Sequence, residues 1–379
     1  MQINKNLTEF LVDYAVKFDA TPFVITDLTL VRKNCIEFKN TFPNIHLYYA
    51  IKAYSAPELI RAIADVVYGY DVASLAEIIT LIDMGIKPQR LLYSNPVKTA
   101  DSIKKSYQLG VAMFAAQSMQ ELDKIAINAP RSGIFIRVAM NDAHSKVPLG
   151  LKFGCQQADA LDLLAYADYL KLRCLGITFH VGSQQLDPTA WEDAIEKAQK
   201  MTQQAKEHGL DLKYINIGGG FPAQYSKDDT PISKIARKVN DSITFDDIQY
   251  LAEPGRFIVA DSSAIVSRVI GYEQRQSVNW IFLDVGLFQA FIGAKRFKPF
   301  PYTPLVFDKN GLRKEGKETT CVLTGPSCDS DDVILNDALL PMDIEIDDII
   351  VFPNTGAYTV VYGSRFNGFA PPASYFKYK

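Results

Sequence analysis

The sequence predicts an α/β chain in two parts, a parallel (β/α)8 TIM barrel followed by a mostly β C-terminal domain. Two observations carry this. Before residue 260, short apolar runs alternate with amphipathic stretches about eight times, the count at which parallel strands with crossover helices close on themselves. After it, the texture changes to β-branched and aromatic runs cut by Gly, Pro and Asp turns, with little helical period. An open doubly wound sheet is the alternative architecture for the first part. The expected division is an N-terminal segment over 1–25 that packs with the β domain, a barrel over 26–260 and a β domain over 261–379.

The barrel strands are expected at 45–51, 66–72, 90–93, 111–115, 133–138, 175–180, 214–217 and 249–252, each an apolar run short enough to be a strand buried on both faces. Helices are expected between them, among others at 56–64, 75–84, 119–128 and 188–208, where apolar residues recur at helical spacing. The β domain is expected to hold strands at 264–272, 280–285, 319–324 and 349–352. One connection has no helical period, Met140 to Gly154; it is either a mobile lid at the catalytic rim or an ordered surface excursion.

With 379 residues, 48% of them hydrophobic and 22% charged, the chain has ample material for two cores. A net charge of -3 with no basic stripe argues against nucleic acid as a partner. The start, Met1-Gln2-Ile3-Asn4-Lys5-Asn6, has no apolar leader, and no run has the length of a membrane span, so the expected compartment is the cytoplasm. Cys35, Cys155, Cys174, Cys321 and Cys328 are odd in number and lack metal-ligand spacing, so reduced thiols and no metal are expected.

The candidate chemistry sits where strands end. Lys52 follows the apolar run Leu47-Tyr48-Tyr49-Ala50-Ile51. A desolvated lysine there loses its proton readily and its amine attacks a carbonyl, whereas an ordinary lysine would only solvate the strand terminus. Gly218-Gly219-Gly220-Phe221 follows another strand, either as a turn whose N–H groups surround a phosphate or as a common glycine turn. Glu253-Pro254-Gly255-Arg256 offers a carboxylate for a ring nitrogen and a guanidinium for phosphate, or a surface ion pair. His180-Val181-Gly182-Ser183 places an imidazole and a hydroxyl at a strand end, for a flat ring and a phosphate or for local structure. In the β domain, Cys328-Asp329 and Tyr358 sit at glycine turns; a lone Cys-Asp is more often structural than catalytic.

Taken in order, the motifs Tyr-Ala-Ile-Lys52, Tyr-Asp71-Val-Ala-Ser, the Arg137 strand, Lys152-Phe-Gly, Phe-His180-Val-Gly-Ser183, Gly218-Gly-Gly-Phe, Glu253-Pro-Gly-Arg256, Gly-Pro-Ser-Cys328-Asp329, Gly-Ala-Tyr358-Thr and Phe366-Asn-Gly-Phe span nearly the whole chain. They resemble the fold-type III pyridoxal-phosphate decarboxylases typified by ornithine, lysine and diaminopimelate decarboxylases. Cys328-Asp329, where the diaminopimelate branch carries Cys-Glu, is most similar to the ornithine branch. The resemblance implies a barrel that binds pyridoxal 5'-phosphate, with Lys52 joined to it as a Schiff base and His180 stacked on its ring. Glu253 would hold the ring nitrogen protonated, so that the ring accepts the electrons left when CO2 departs. Ser183, Gly218, Gly219, Gly220, Arg256 and Tyr358 would bind the phosphate, while Asp71 and Arg137 would line the reacting bond. Cys328 would reach in from the partner subunit of a head-to-tail homodimer to help place the carboxylate and return a proton to Cα.

The chain departs from the ornithine pattern at one place. After the first β-domain Asp, where ornithine decarboxylases usually carry an acid for the distal ammonium, the segment from Asp284 to Pro299 contains Phe288, Lys295, Arg296 and Lys298 but no further acid. A cationic wall repels a free ammonium by about 1–4 kcal/mol at a few ångströms. It attracts carboxylates. The expected substrate is therefore an ornithine whose distal amine carries a polycarboxylate, as in N-citryl-ornithine of carboxylate siderophore assembly, with Asp329, Phe288, Lys295, Arg296 and Tyr358 as substrate contacts. The alternative is a free L-ornithine or L-lysine decarboxylase of polyamine biosynthesis, in which the three cations form a solvated turn and Asp329 alone binds the amine. Two further readings are a family member that has lost its cofactor and persists as a binding protein, and a racemase. The first conflicts with intact cofactor motifs. The second usually carries Arg where Glu253 stands.

Overall fold

The structure, a computed structural model, describes residues 14, 20–150 and 152–378, with Arg296 described by its main chain only. It divides into two compact units, a barrel unit of residues 32–223 and 229–258, and a β unit of residues up to 31, 224–228 and 259–379. The segment 224–228 thus groups with the β unit although it lies inside the barrel stretch of the sequence. Of the N-terminal segment expected over 1–25, residues 1–13 and 15–19 lie outside the described residues. Its end forms β1 (Phe23–Asp27), a strand of the β unit.

Eight parallel strands close the barrel: β2 (Ile45–Ala50), β3 (Gly69–Val72), β4 (Leu91–Tyr93), β5 (Met113–Ala116), β6 (Gly133–Arg137), β8 (Arg173–Thr178), β10 (Tyr214–Asn216) and β11 (Gln249–Ala252), with β11 returning to β2. Each expected barrel run overlaps one of them: β11 coincides with its run, β5 ends one residue later and β8 begins two residues earlier than expected, and the others are shorter than their runs. The doubly wound alternative fails because the sheet has no edge strand: the path from β2 through β3, β4, β5, β6, β8, β10 and β11 returns to β2, so each of the eight strands has two neighbours. Tyr48, Leu92, Phe135 and Leu251 form a buried cluster drawn only from strands, flanked by Met113, Leu175 and Tyr214, and so fill the barrel with side chains. Gly69 is required by this packing, since a Cβ there would stand 2.7 Å from Tyr48 Cδ1.

The helices between strands begin where the sequence marks them. Ser74 accepts from the Glu77 N–H at the start of the helix Leu75–Asp83, Thr99 from Ser102 N–H before Ala100–Gln108, and Ser118 from Glu121 N–H before Met119–Asn128. The excursion after β6 carries a short two-stranded ribbon. Its strand β7 (Ser145–Val147) pairs antiparallel with β9 (Ser183–Gln185), and its ends are tied where Cys155 N–H donates to Arg137 O at 2.9 Å and Ala139 N–H to Cys155 O at 2.9 Å. Asp142 organises the tip by accepting from the N–H groups of Leu149 and Gly150. Leu151 lies outside the described residues.

The β unit is one sheet in the order β14-β17-β12-β13-β15-β16, extended by β1 on β12 and β18 on β1. Its strands are β12 (Ser263–Arg275), β13 (Val278–Leu283), β14 (Leu305–Phe307), β15 (Glu318–Thr324), β16 (Val333–Pro341), β17 (Ile349–Pro353) and β18 (Ala373–Lys377). The sequence pattern missed β14, β16 and β18. Two of these are short, and in β16 the run Leu335-Asn336-Asp337 interrupts the apolar alternation at an edge where those side chains meet water.

Within the barrel unit one ion pair is sealed from solvent. Lys98 Nζ stands 2.9 Å from Glu121 Oε1, the two side chains being 0% and 2% exposed, and also donates to the carbonyls of Asn95 and Ala115. Removing Lys98 leaves Glu121 buried with only the partly exposed Lys124, 2.5 Å from its Oε2, as an ion-pair partner, and removing Glu121 leaves the Lys98 charge buried. Lys98→Met is expected to destabilise the barrel unit by about 3–5 kcal/mol, read as a lowered urea midpoint, and Lys98→Met with Glu121→Leu is expected to recover part of that loss.

Candidate active site

Because every barrel strand runs the same way, the residues that follow the strands share one rim. Lys52 lies in the 3-10 turn Ile51–Ala53 directly after β2, and its Nζ donates to Asp71 Oδ2 from the neighbouring strand β3, where Ala50 and Asp71 are paired in register. Asp71 is 1% exposed, while the Lys52 side chain is 42% exposed and so reachable. Ser94, just past β4, donates its hydroxyl to the other oxygen of Asp71.

Across the rim, Asn216 at the end of β10 is fully buried and works at both ends. Its Nδ2 donates to Glu253 Oε1 at 2.6 Å and its Oδ1 accepts from Gly218 N–H at 2.9 Å. Gly218 and Gly220 adopt left-handed backbone, with φ of 66° and 101°, which lets the triplet turn tightly. A Cβ on Gly219 would stand 3.1 Å from His180 Nε2 and 2.8 Å from Glu253 O, so the imidazole and the carboxyl segment close around the turn. His180 Nδ1 accepts from Gly182 N–H at 3.0 Å, leaving Nε2 as the protonated nitrogen of the neutral ring. Arg256, 7% exposed, donates from Nη2 to Ser183 Oγ at 3.2 Å.

The electrostatics follow from burial. Burial pushes the Glu253 carboxyl up to about 7, helped by the nearby negative Asp71 and opposed by Lys52, by the Asn216 hydrogen bond and by Arg137. Burial holds the His180 imidazole well below its ordinary range, with Arg137 and Lys52 adding repulsion. The ring is therefore neutral at neutral pH. Arg137, at the end of β6, stacks over Phe153 with its guanidinium 5.1 Å from the ring centre. These mutual interactions bring Lys52, Asp71, Arg137, His180 and Glu253 into one cluster, with Ser183, Arg256 and Gly218, Gly219 and Gly220 in the same unit. Sequence reasoning missed Asn216, Ser94 and Glu77. A polar residue at an inward strand position signals the first, and the Ser74-x-x-Glu77 capping pattern signals the last.

The remaining candidates belong to the β unit. Cys328 is exposed, and the Asn367 Oδ1 accepts from both its N–H at 3.2 Å and its thiol at 3.3 Å. Asp329 accepts from Asp331 N–H, and the buried Asp332 holds the loop by accepting from Leu287 N–H and Ser327. Phe288 packs on Phe366 with ring centres 4.8 Å apart. Tyr358 takes a left-handed φ of 58°, strain of the kind that collects at functional turns. Lys295 is exposed, whereas the Arg296 side chain lies outside the described residues. All five cysteines are free. Among the described residues no group of acidic, His and Cys side chains could hold a metal ion, and no helix is long and apolar enough to cross a membrane.

An amine that bonds to a carbonyl, beside a glycine and arginine cradle for a phosphate, suits a cofactor that carries both groups. The barrel thus defines a class, enzymes built around a phosphorylated aldehyde. The model of the pyridoxal-binding domain of pyridoxal-dependent decarboxylases matches residues 28–260. A lysine/ornithine decarboxylase of Selenomonas ruminantium is 33% identical over 97% of this chain and 92% of its own length. Antizyme inhibitor 2 of Xenopus laevis is 30% identical over 96% and 82%. The solved structure of SrLDC with PLP and cadaverine superposes with a TM-score of 0.89 at 31% identity, covering 96% of this chain and 92% of that one. The chain belongs to the pyridoxal-dependent decarboxylase family, and it is an amino-acid decarboxylase whose cofactor is pyridoxal phosphate.

The raised Glu253 carboxyl has a consequence for stability. An unfolded glutamate ionises near 4.5 and the folded one at about 7, so between these values the folded chain holds the extra proton and loses stability as pH rises. In cofactor-stripped protein, Glu253→Gln should remove this slope. Denaturant titrations at about pH 5 and about pH 7.5 are expected to show the variant gaining about 2–3 kcal/mol on the native chain at the higher pH.

Proposed function

We propose that the chain removes the α-carboxyl group, as CO2, from an ornithine-type amino acid whose distal nitrogen carries a carboxylate-bearing acyl group, N-citryl-ornithine being the model substrate of siderophore biosynthesis. One observation carries the substrate part. Between Asp284 and Pro299 there is no acid to meet a distal ammonium, and Lys295 and Lys298 are both exposed there. Asp284 itself is committed, accepting from Ser267 Oγ at 2.7 Å and Arg268 N–H at 3.0 Å. The segment folds as a π turn over Leu287–Phe291 followed by a 3-10 turn over Ala294–Arg296.

Bound pyridoxal phosphate supplies an electron sink for the pair left by departing CO2. The barrel residues do the rest. Lys52 presents its amine to the aldehyde carbon, with Asp71 orienting it. His180, neutral, offers an uncharged flat face that does not repel a protonated ring. Glu253 holds a proton at about neutral pH and so shares it readily with a ring nitrogen, while Asn216 fixes which oxygen faces inward. Arg256, Ser183 and the Gly218 to Gly220 turn take the phosphate. Arg137 and Asp71 line the reacting bond. For Tyr358, Cys328 and Asp329 the reading keeps the roles implied by the resemblance, phosphate for the first and substrate for the others, in a cytoplasmic homodimer.

A second reading, decarboxylation of free L-ornithine or L-lysine in polyamine biosynthesis, is favoured by the name of the Selenomonas relative and by the cadaverine in SrLDC. A binding protein without catalysis is favoured only by the antizyme inhibitor relative, and the Lys52–Asp71 pair stands against it.

The test is CO2 release by the cofactor-loaded protein from L-ornithine, L-lysine and N-citryl-L-ornithine, compared as kcat/KM. The citryl substrate is expected to lead by about a hundredfold, or about 2.7 kcal/mol. Lys295→Ala with Lys298→Ala should erase most of that lead, lowering kcat/KM for the citryl substrate and raising it for the free amino acids. A lead for free ornithine or lysine overturns the acyl reading in favour of the polyamine one. Glu253→Ala should lower kcat by about 10²–10⁴ for every substrate.

A further inference from the structure

We infer that Ser94 is a positioning residue for Lys52: by donating its hydroxyl to Asp71 Oδ1 it holds the carboxylate with Oδ2 toward the lysine and takes up part of its negative charge, so that the Lys52 amine is released to react. The inference rests on the reading of Lys52 as the residue that captures the cofactor.

The geometry forms a relay across three adjacent strands. Lys52 follows β2, Asp71 lies in β3 and Ser94 follows β4, with β2 paired to β3 and β3 to β4. Ser94 is 7% exposed and its main chain is pinned, since its N–H donates to Val72 O at 3.1 Å. The next residue is pinned as well, because Asn95 Nδ2 donates to Ala73 O at 3.3 Å and Asn95 O accepts from the buried Lys98 at 2.8 Å. The hydroxyl has one alternative acceptor, Leu92 O, at the limiting distance of 3.5 Å. Asp71 is its partner.

A carboxylate divides one charge between two oxygens, so a donor on Oδ1 weakens the grip of Oδ2 on an ammonium. The same donor matters again once the amine has reacted. Lys52 Nζ is then bonded to carbon, and the Asp71 carboxylate, 1% exposed, keeps the Ser94 hydroxyl as a hydrogen-bond partner. The other charges facing Asp71 are Arg137 on β6, Glu253 after β11 and Glu77 on the helix after β3, and those facing Lys52 include His180 after β8. Of these, Arg137 attracts the Asp71 carboxylate, and the Ser94 hydroxyl donates to it.

The experiment measures Lys52 rather than turnover. Cofactor-stripped protein is exposed to pyridoxal 5'-phosphate across a pH series and reduced with borohydride, and the label on the Lys52 peptide is quantified by mass spectrometry. Ser94→Ala is expected to move the pH midpoint of labelling upward by about half a unit or more, slowing capture at neutral pH by about threefold or more. Ser94→Thr, which keeps the hydroxyl, should restore the native midpoint, and Ser94→Cys, a weaker donor of similar size, should fall between. An unchanged or lowered midpoint in Ser94→Ala or Ser94→Cys overturns the inference, even if total labelling drops, because packing alone would lower yield without moving a titration. Label on a residue other than Lys52 in the native chain would instead overturn the reading of Lys52, leaving a different fault to find.

Discussion

Closure of the eight-stranded parallel sheet is the constraint on which the rest depends. A parallel strand cannot satisfy its neighbours and leave an edge to water without cost, and β11 returning to β2 removes both edges at once. Closure also makes neighbours of residues far apart in the chain. Glu253 and Lys52 lie about two hundred positions apart yet follow adjacent strands, and Asp71 and Ser94 continue the same arc.

Once these groups share a rim, burial sets their chemistry. Water withdrawn from the cluster raises the Glu253 carboxyl to about 7 and keeps the His180 ring neutral, so an acid holds a proton and a base lacks one near the same pH. Neither property belongs to the residue alone. An uncharged scaffold fixes both groups in place: Asn216 bridges Glu253 to the glycine turn, and Gly182 N–H holds the His180 tautomer. The buried Lys98–Glu121 pair braces the loop that carries Ser94 and Asn95, with Lys98 also donating to Asn95 O.

The β unit obeys a different logic. Its loops are organised by single carboxylates, the buried Asp332 beside Ser327 and the half-buried Asp284 at the start of the 284–299 segment, each accepting several N–H or O–H groups. The acids nearest that segment are consumed by structure, which leaves the cations Lys295 and Lys298 as its exposed charges.

The eight barrel strands, the main strands of the β unit and the glycine, lysine and acidic residues at strand ends were legible in the sequence, because buried parallel strands are short uniform apolar runs and strand-end chemistry stands out against them. β16 and β18 were not legible, since edge strands facing water lose the alternation that marks them. The pairing of Ser145–Val147 with Ser183–Gln185 was equally hidden, because nothing local distinguishes a loop that finds a partner strand from one that does not. The sequence by itself determined the residue types and the strand each follows. Only tertiary structure decided that Ser94 bonds Asp71, that Asn216 bridges Glu253 to Gly218, and that Glu253 retains its proton, because hydrogen-bond partners and desolvation arise from neighbours that closure of the barrel brings together.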